Sequence, residues 1–325
     1  MHRAIPKIGV ALADALAVAA EHPRDTAADV IAAATELAHL HVPLPGSDTA
    51  TRFRTFTELA AIDLALARIF EGHCDALAIL AEAREPARDG LYGVWAADAN
   101  RVTAAETVTG YRLTGKKRFC SGATGLTRAL VTTAEGWMFD VDLHAPGVHA
   151  IAGTWPAVGM ATTDSLEVEF TNVDLGAPIG GNGFYLDRPG FWHGAVGVAA
   201  CWFGGALGAA RMLTSRLEGK LTDHQAAHVG AIAASCAVME QMLTSAAKDI
   251  DATSRRADPK GRERALIVRH VVEQGCQEVI ERVGRAGGTS PIVFDREHAK
   301  RVADLMVYLR QHHGEADLAE LGRLV

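Results

Sequence analysis

Residues 111–123 read Tyr-Arg-Leu-Thr-Gly-Lys-Lys-Arg-Phe-Cys-Ser-Gly-Ala. Tyr111 and Leu113 alternate with polar neighbours, Thr114-Gly115 is a turn pair, and the pattern resumes toward Phe119. That spacing predicts a β-hairpin. Working outward, Leu91-Tyr-Gly-Val-Trp95 opens a β-rich region, and strands are predicted over 128–133, 137–143, 149–153 and 166–170. Turn residues separate them: Glu135-Gly136, Pro146-Gly147, Thr163-Asp164 and Asn172. In Glu167-Val168-Glu169-Phe170 the acids face water and the apolar residues face in. Short strands without intervening helices predict a central antiparallel β-sandwich or barrel over residues 91–183, not a parallel nucleotide-binding sheet.

The flanks are helical in texture. Residues 8–20 and 26–40 are Ala-rich with charges kept off one face. From Phe56 to Ala83 the apolar positions Leu59, Ile62, Leu66, Ile69, Phe70, Leu77 and Leu80 keep helical spacing, with Gly72 as an interruption. Residues 1–90 therefore form an N-terminal helical domain in this reading. After Gly183, helices are predicted over 194–217, 224–250, 261–284 and 295–312, giving a C-terminal four-helix bundle over 184–325. The class is α+β, multidomain.

With 325 residues, 49% of them hydrophobic, the chain can bury a sizeable core. A net charge of −7 without a long basic run argues against nucleic acid as a partner. Five scattered cysteines without a CxxC pair fit reduced, buried thiols and leave no zinc pattern. The apolar run from Gly194 to Ala210 is rich in Gly and Ala, so it reads as a close-packed core helix and not a membrane span. No signal peptide is recognisable at the N-terminus, and a cytoplasmic location is expected.

The hairpin also resembles the central β-domain signature of the acyl-CoA dehydrogenase superfamily. There, a tyrosine, leucine, turn-glycine, lysine hairpin leads into an aromatic-x-Ser/Thr-Gly/Asn segment lying against a flavin. Phe119, Cys120, Ser121 and Gly122 occupy those places. Val158-Gly-Met-Ala-Thr-Thr-Asp-Ser-Leu-Glu-Val-Glu-Phe170 resembles the family's glycine-methionine segment, and Gly204-Gly-Ala-Leu-Gly-Ala-Ala-Arg211 its first bundle helix. Ala286-Gly-Gly-Thr-Ser290 is similar to the double-glycine segment that meets FAD across a subunit interface. The resemblance implies FAD as cofactor, with Phe119 as an apolar wall, Ser121 as a hydroxyl, amides of Cys120 and Ser121 as donors, and Gly287 and Gly288 near the nucleotide. It further implies a small-molecule substrate such as an acyl-CoA, a homodimer or homotetramer, and an electron-transfer partner or flavin reductase. Trp95 and Trp155 fall near places where the family lines the flavin, and Arg211, Arg216 and Arg285 are candidate phosphate ligands.

Departures from the family bear on mechanism. The acidic-Pro-Gly-x-Gly-Ser-Asp loop is missing before the hairpin, where residues 94–100 are short. Arg216-Leu-Glu-Gly-Lys220 replaces the family's Arg-x-x-Phe-Gly motif. Dehydrogenation needs a base to take the α-proton while the flavin takes a hydride, and the family uses a glutamate. Here, aligning on Gly314 puts His313 at that place, and counting from Asp304 puts His312 there. The alternative base position has only His193. An acyl-CoA dehydrogenase-like flavin oxidoreductase is the leading expectation. Histidine at this place resembles the superfamily's flavin-dependent monooxygenases, in which it acts beside the flavin edge. A scaffold that has lost flavin is the third reading, and polar residues at an exposed helix end are the plain alternative for His312 and His313.

Overall fold

The computed structural model describes residues 10–217, 219, 221–253 and 258–325. Residues 8 and 9 of the first expected helix, and Glu218 and Lys220 of the altered motif, lie outside them. Four helices open the chain: α1 (Val10–Glu21), α2 (Ala27–Leu37), α3 (Thr49–Ile62) and α4 (Leu64–Ala83). The periodicity read as one helix over 56–83 is two. Asp63 adopts extended backbone, ends α3, and caps α4 by accepting the Leu66 N–H at 2.9 Å. An aspartate carboxylate competes for backbone N–H groups and so starts helices better than it continues them. Gly72, the expected interruption, lies well inside α4.

Seven strands follow: β1 (Tyr92–Trp95), β2 (Val102–Thr107), β3 (Gly110–Cys120), β4 (Arg128–Thr132), β5 (Met138–Asp142), β6 (Val148–Ile151) and β7 (Leu166–Leu175). They form two sheets, β1-β4-β5 and β2-β3-β7-β6. The four-stranded sheet is antiparallel, as expected, but β1 and β4 pair in parallel. The excursion from β1 to β4 passes through the second sheet, which supplies the long crossover that parallel pairing requires. The hairpin is displaced from its expected position. Its turn is Val108-Thr109, between β2 and β3, and Thr114-Gly115 lies inside β3. At Gly115 the β3–β7 register shifts, φ is +135°, and a Cβ would sit 2.2 Å from the Arg101 carbonyl oxygen. A glycine that allows a bulge and a close strand approach thus looks like a turn in sequence.

The C-terminal part comprises α5 (Phe184–Asp187), α6 (Gly190–Arg216), α7 (Asp223–Thr253), α8 (Gly261–Gly287), α9 (Ser290–Phe294), α10 (Arg296–Tyr308), a 3₁₀ turn over Leu309–Gln311, and α11 (Glu315–Leu324). Helix α6 packs on α3, α4 and α8, and α7 on α8 and α3. The main hydrophobic core runs from Ala19 through Phe139 to Leu309, crossing all three sequence segments. Of the two helices long and apolar enough to cross a membrane, α6 is 78% buried within the chain over its most apolar window.

Candidate functional site

The end of β3 departs from regular strand geometry. Phe119 is non-glycine at φ +60° and its ring is half exposed. Bulky residues rarely adopt this conformation, and they do so where surroundings impose it. Trp155 meets the Phe119 ring edge-on with centroids 6.4 Å apart, and donates through Nε1 to the Met160 carbonyl at 3.0 Å. Cys120 points inward, fully buried, and burial pushes its thiol pKa well up. Behind it, Lys117 is wholly buried. Its Nζ donates to the Thr132 carbonyl at 3.0 Å and to Thr132 Oγ1 at 3.2 Å, and desolvation lowers its pKa to about 8.

Ser121 has a fixed hydrogen-bond polarity. Thr163 Oγ1 donates to the Met160 carbonyl at 2.7 Å, Thr163 and Ser165 hydroxyls are 2.8 Å apart, and Ser165 and Ser121 hydroxyls are 2.8 Å apart. Each hydroxyl has one proton. With Thr163 spending its own on Met160, Ser165 must donate to Thr163 and Ser121 to Ser165. Ser121 Oγ is left with lone pairs only. The Ser121 N–H, expected as a donor, is bonded to the Phe119 carbonyl at 3.1 Å, and the Gly122 N–H to the Thr163 carbonyl at 2.7 Å. The edge therefore offers an exposed aromatic ring and an acceptor hydroxyl, while amides just past Cys120 are taken. These residues fit one edge of a flat ring bearing an N–H.

Beside Ser121 lies a crevice of about 10 Å³, lined by Arg68, Ile69, Tyr92, Trp95 and Leu126 among others. Trp95 Nε1 donates to the Ser121 carbonyl at 3.0 Å, so Trp95 holds the segment and is itself buried.

His312 and His313 separate by environment. The His313 side chain is 72% exposed and pairs with Asp317 at 3.2 Å. His312 has a 3% exposed side chain. The Gly314 N–H donates to His312 Nδ1 at 3.1 Å, which assigns the neutral ring's proton to Nε2. Burial lowers the His312 pKa, and Nε2 is buried without a hydrogen-bond partner among the described residues. The His270 ring stands 5.7 Å away, and Arg269 donates to the Gln311 carbonyl at 2.6 Å while lying over Trp202. Trp202 Nε1 is also buried without a hydrogen-bond partner among the described residues. His193, the alternative base, bonds Asp258 at 3.2 Å.

The expected nucleotide contacts are otherwise engaged. Gly287 and Gly288 end α8, and the Gly288 N–H bonds the Gly284 carbonyl. Arg211 pairs with Glu58, Arg216 with Asp295 and Arg285 with Glu281. The structure thus groups Phe119, Ser121 and Trp95 at one edge and places Gly287-Gly288 at the end of α8, which packs on α6, α7, α9 and α11. Sequence reading missed Arg68 and Glu71. Arg68 Nη1 bonds Glu71 Oε2 at 2.7 Å, and burial raises the Glu71 carboxyl pKa to about 7 against the pull of Arg68. The available signal was a charged pair, with Asp75 one turn further on, in a mostly apolar helix.

No protein-family profile matches the chain, and no curated protein sequence does. Its structure is similar to TdsC from Paenibacillus sp. A11-2, solved with FMN and indole, at a TM-score of 0.81 and 19% identity over 96% of each chain. It is similar to methanesulfinate monooxygenase MsuC from Pseudomonas fluorescens at 0.79 and 16%, over 96% of this chain and 95% of that one. For the HsaA monooxygenase from M. tuberculosis the values are 0.72 and 14%, over 96% and 98%. The chain therefore has the acyl-CoA dehydrogenase-like fold that its β3 and Gly-Met segments resemble, and shares it with these monooxygenases.

Proposed function

We propose that this protein is a flavin-dependent monooxygenase supplied with reduced flavin by a separate reductase. The carrying observation is His312: its neutral imidazole is buried, its Nε2–H has no hydrogen-bond partner among the described residues, the nearest carboxylate being Asp317 at 3.9 Å, and it is one of the two residues that counting along the sequence sets against the glutamate of the dehydrogenases this chain resembles. It donates a hydrogen bond to an oxygen and is poorly suited to removing an α-proton, since burial disfavours its protonated form. TdsC, with FMN bound, favours the monooxygenase over the acyl-CoA dehydrogenase reading. When bound, reduced flavin supplies the electrons that activate dioxygen. Phe119 gives the ring an apolar face, and Ser121 Oγ accepts from a ring N–H. FMN is favoured over FAD because TdsC was solved with FMN and because the candidate phosphate ligands Arg211, Arg216 and Arg285 are each paired with a carboxylate of this chain.

The purified protein is expected to bind reduced FMN more tightly than oxidised FMN. Ser121→Ala is expected to weaken the reduced form up to about tenfold, the value of one hydrogen bond, and the oxidised form less. Anaerobic flavin titration measures both. Substrate-dependent oxygen consumption with an added reductase would support the reading. Bleaching of bound flavin by an acyl-CoA would return it to dehydrogenase, and absence of flavin binding would leave a scaffold.

A homo-oligomer is part of this proposal, and α7 is its contact helix. Over its most apolar window α7 is only 17% buried, and Ala226, Ala227, Gly230, Ala233, Ala234, Ala237 and Val238 face outward. The expected contact helix, α6, is instead covered by its own chain. Light scattering after gel filtration is expected to give at least a dimer, and Ala234→Glu with Val238→Glu a monomer. A monomeric wild type would refute this part.

A further inference from the structure

Helix α4 is a core helix, yet it carries Arg68, Glu71 and Asp75 with side-chain exposures of 16%, 4% and 14%. Arg68 lies on the side of α4 that faces β1, where its side chain lines the crevice beside Ser121. Gly72, one turn on, keeps this place open: a Cβ there would lie 3.3 Å from Arg68 Nη1. Among the described residues only Nη1 of the guanidinium makes a hydrogen bond, to Glu71. The crevice walls are Ile69, Tyr92, Trp95 and Leu126, all of them almost fully buried. A guanidinium presents five N–H donors in a planar fork. Here most of that fork meets no protein acceptor among the described residues and is left facing the crevice.

We infer that the crevice between α4 and β1 is an anion subsite in which Arg68 receives the carboxylate of a small planar aromatic acid. The fork matches a carboxylate in two parallel bonds, and the aromatic and branched walls favour a flat ring over a flexible chain. Glu71 holds the guanidinium in place without satisfying it. The volume admits the oxyanion head alone, so the ring lies at the mouth of the crevice. As an account of substrate class this rests on the monooxygenase reading, but binding of the acid does not require flavin.

The test is calorimetric titration of the flavin-free protein with benzoate and with its neutral isostere benzamide. Benzoate is expected to bind at least about tenfold more tightly, the discrimination of a charge-assisted pair over a neutral one. Arg68→Gln alone strands the Glu71 carboxylate and endangers folding, so the variant tested is Arg68→Gln with Glu71→Gln. It is expected to keep the wild-type circular dichroism and benzamide affinity while losing the benzoate preference. Arg68→Lys, if folded, is expected to retain part of it. Equal binding of the two probes by wild type, no binding of either, or a benzoate preference that survives in the double variant would overturn the inference. A benzoate preference in a protein that binds no flavin would uphold the subsite and remove the monooxygenase reading. Flavin binding without the preference would do the reverse.

Discussion

Gly204→Ala is expected to destabilise the protein by about 3 kcal/mol, at the upper end of overpacking costs. A Cβ at this position would lie 2.2 Å from the Thr57 carbonyl oxygen and 2.6 Å from Ala60 Cβ. Both obstacles are parts of α3 that cannot rotate away, so α3 and α6 would have to separate. Gly208, one turn on, meets the Ala61 carbonyl oxygen at 2.5 Å in the same way. Small residues four apart thus set the spacing of the central helix pair, and the long row of apolar contacts along it depends on that spacing. Gly284→Ala in α8 is the control, since its Cβ would meet nothing within 4 Å. It is expected to be neutral or to stabilise by up to about 1 kcal/mol through helix propensity. Urea unfolding of both variants decides the matter, and similar midpoints would refute it.

Arg68→Met is expected to cost about 3–5 kcal/mol at pH 8, because it leaves the Glu71 carboxylate buried without its partner. The loss is expected to shrink at pH 5. The Glu71 pKa is raised from 4.5 to about 7 by burial, with Arg68 pulling the other way. A carboxyl with a raised folded pKa contributes stability that is complete below about 4.5 and is lost as pH rises through about 7. Without Arg68 the folded pKa climbs further, so the same loss continues into alkaline solution and steepens the variant's decline. Adding Glu71→Gln to Arg68→Met is expected to restore most of the stability at pH 8. Urea midpoints at the two pH values test this. A pH-independent loss that the second change does not rescue would mean that packing of the arginine stem, not the stranded charge, is responsible.

Much of the architecture was legible because alternation and helical spacing are local. Strands β4, β5 and β7 begin within a residue of their expected starts. β2 escaped notice because Val102-Thr-Ala-Ala-Glu-Thr107 carries two alanines, which weaken the strand pattern. The Asp63 break was hidden because apolar positions continue across it. The site divides along the same line. Ser121 stood out through its motif, but its acceptor character depends on Ser165 and Thr163, more than forty residues away. His312 and His313 could not be told apart by counting, since burial alone distinguishes them. Arg68 and Glu71, three apart on a helix, look like a solvated pair until neighbouring elements close over them.

Asp63 also grips Lys300 at 2.8 Å, Asp251 accepts the Thr49 hydroxyl at 2.6 Å, and Asp304 accepts the Met160 N–H at 2.5 Å. Partners for polar groups of α3, of the α3–α4 junction and of Met160 thus lie more than 140 residues later in the chain. During synthesis the early helices must wait with unmet polar groups and bare apolar faces, so a nascent chain of this design leans on chaperones until α7 and α10 have emerged.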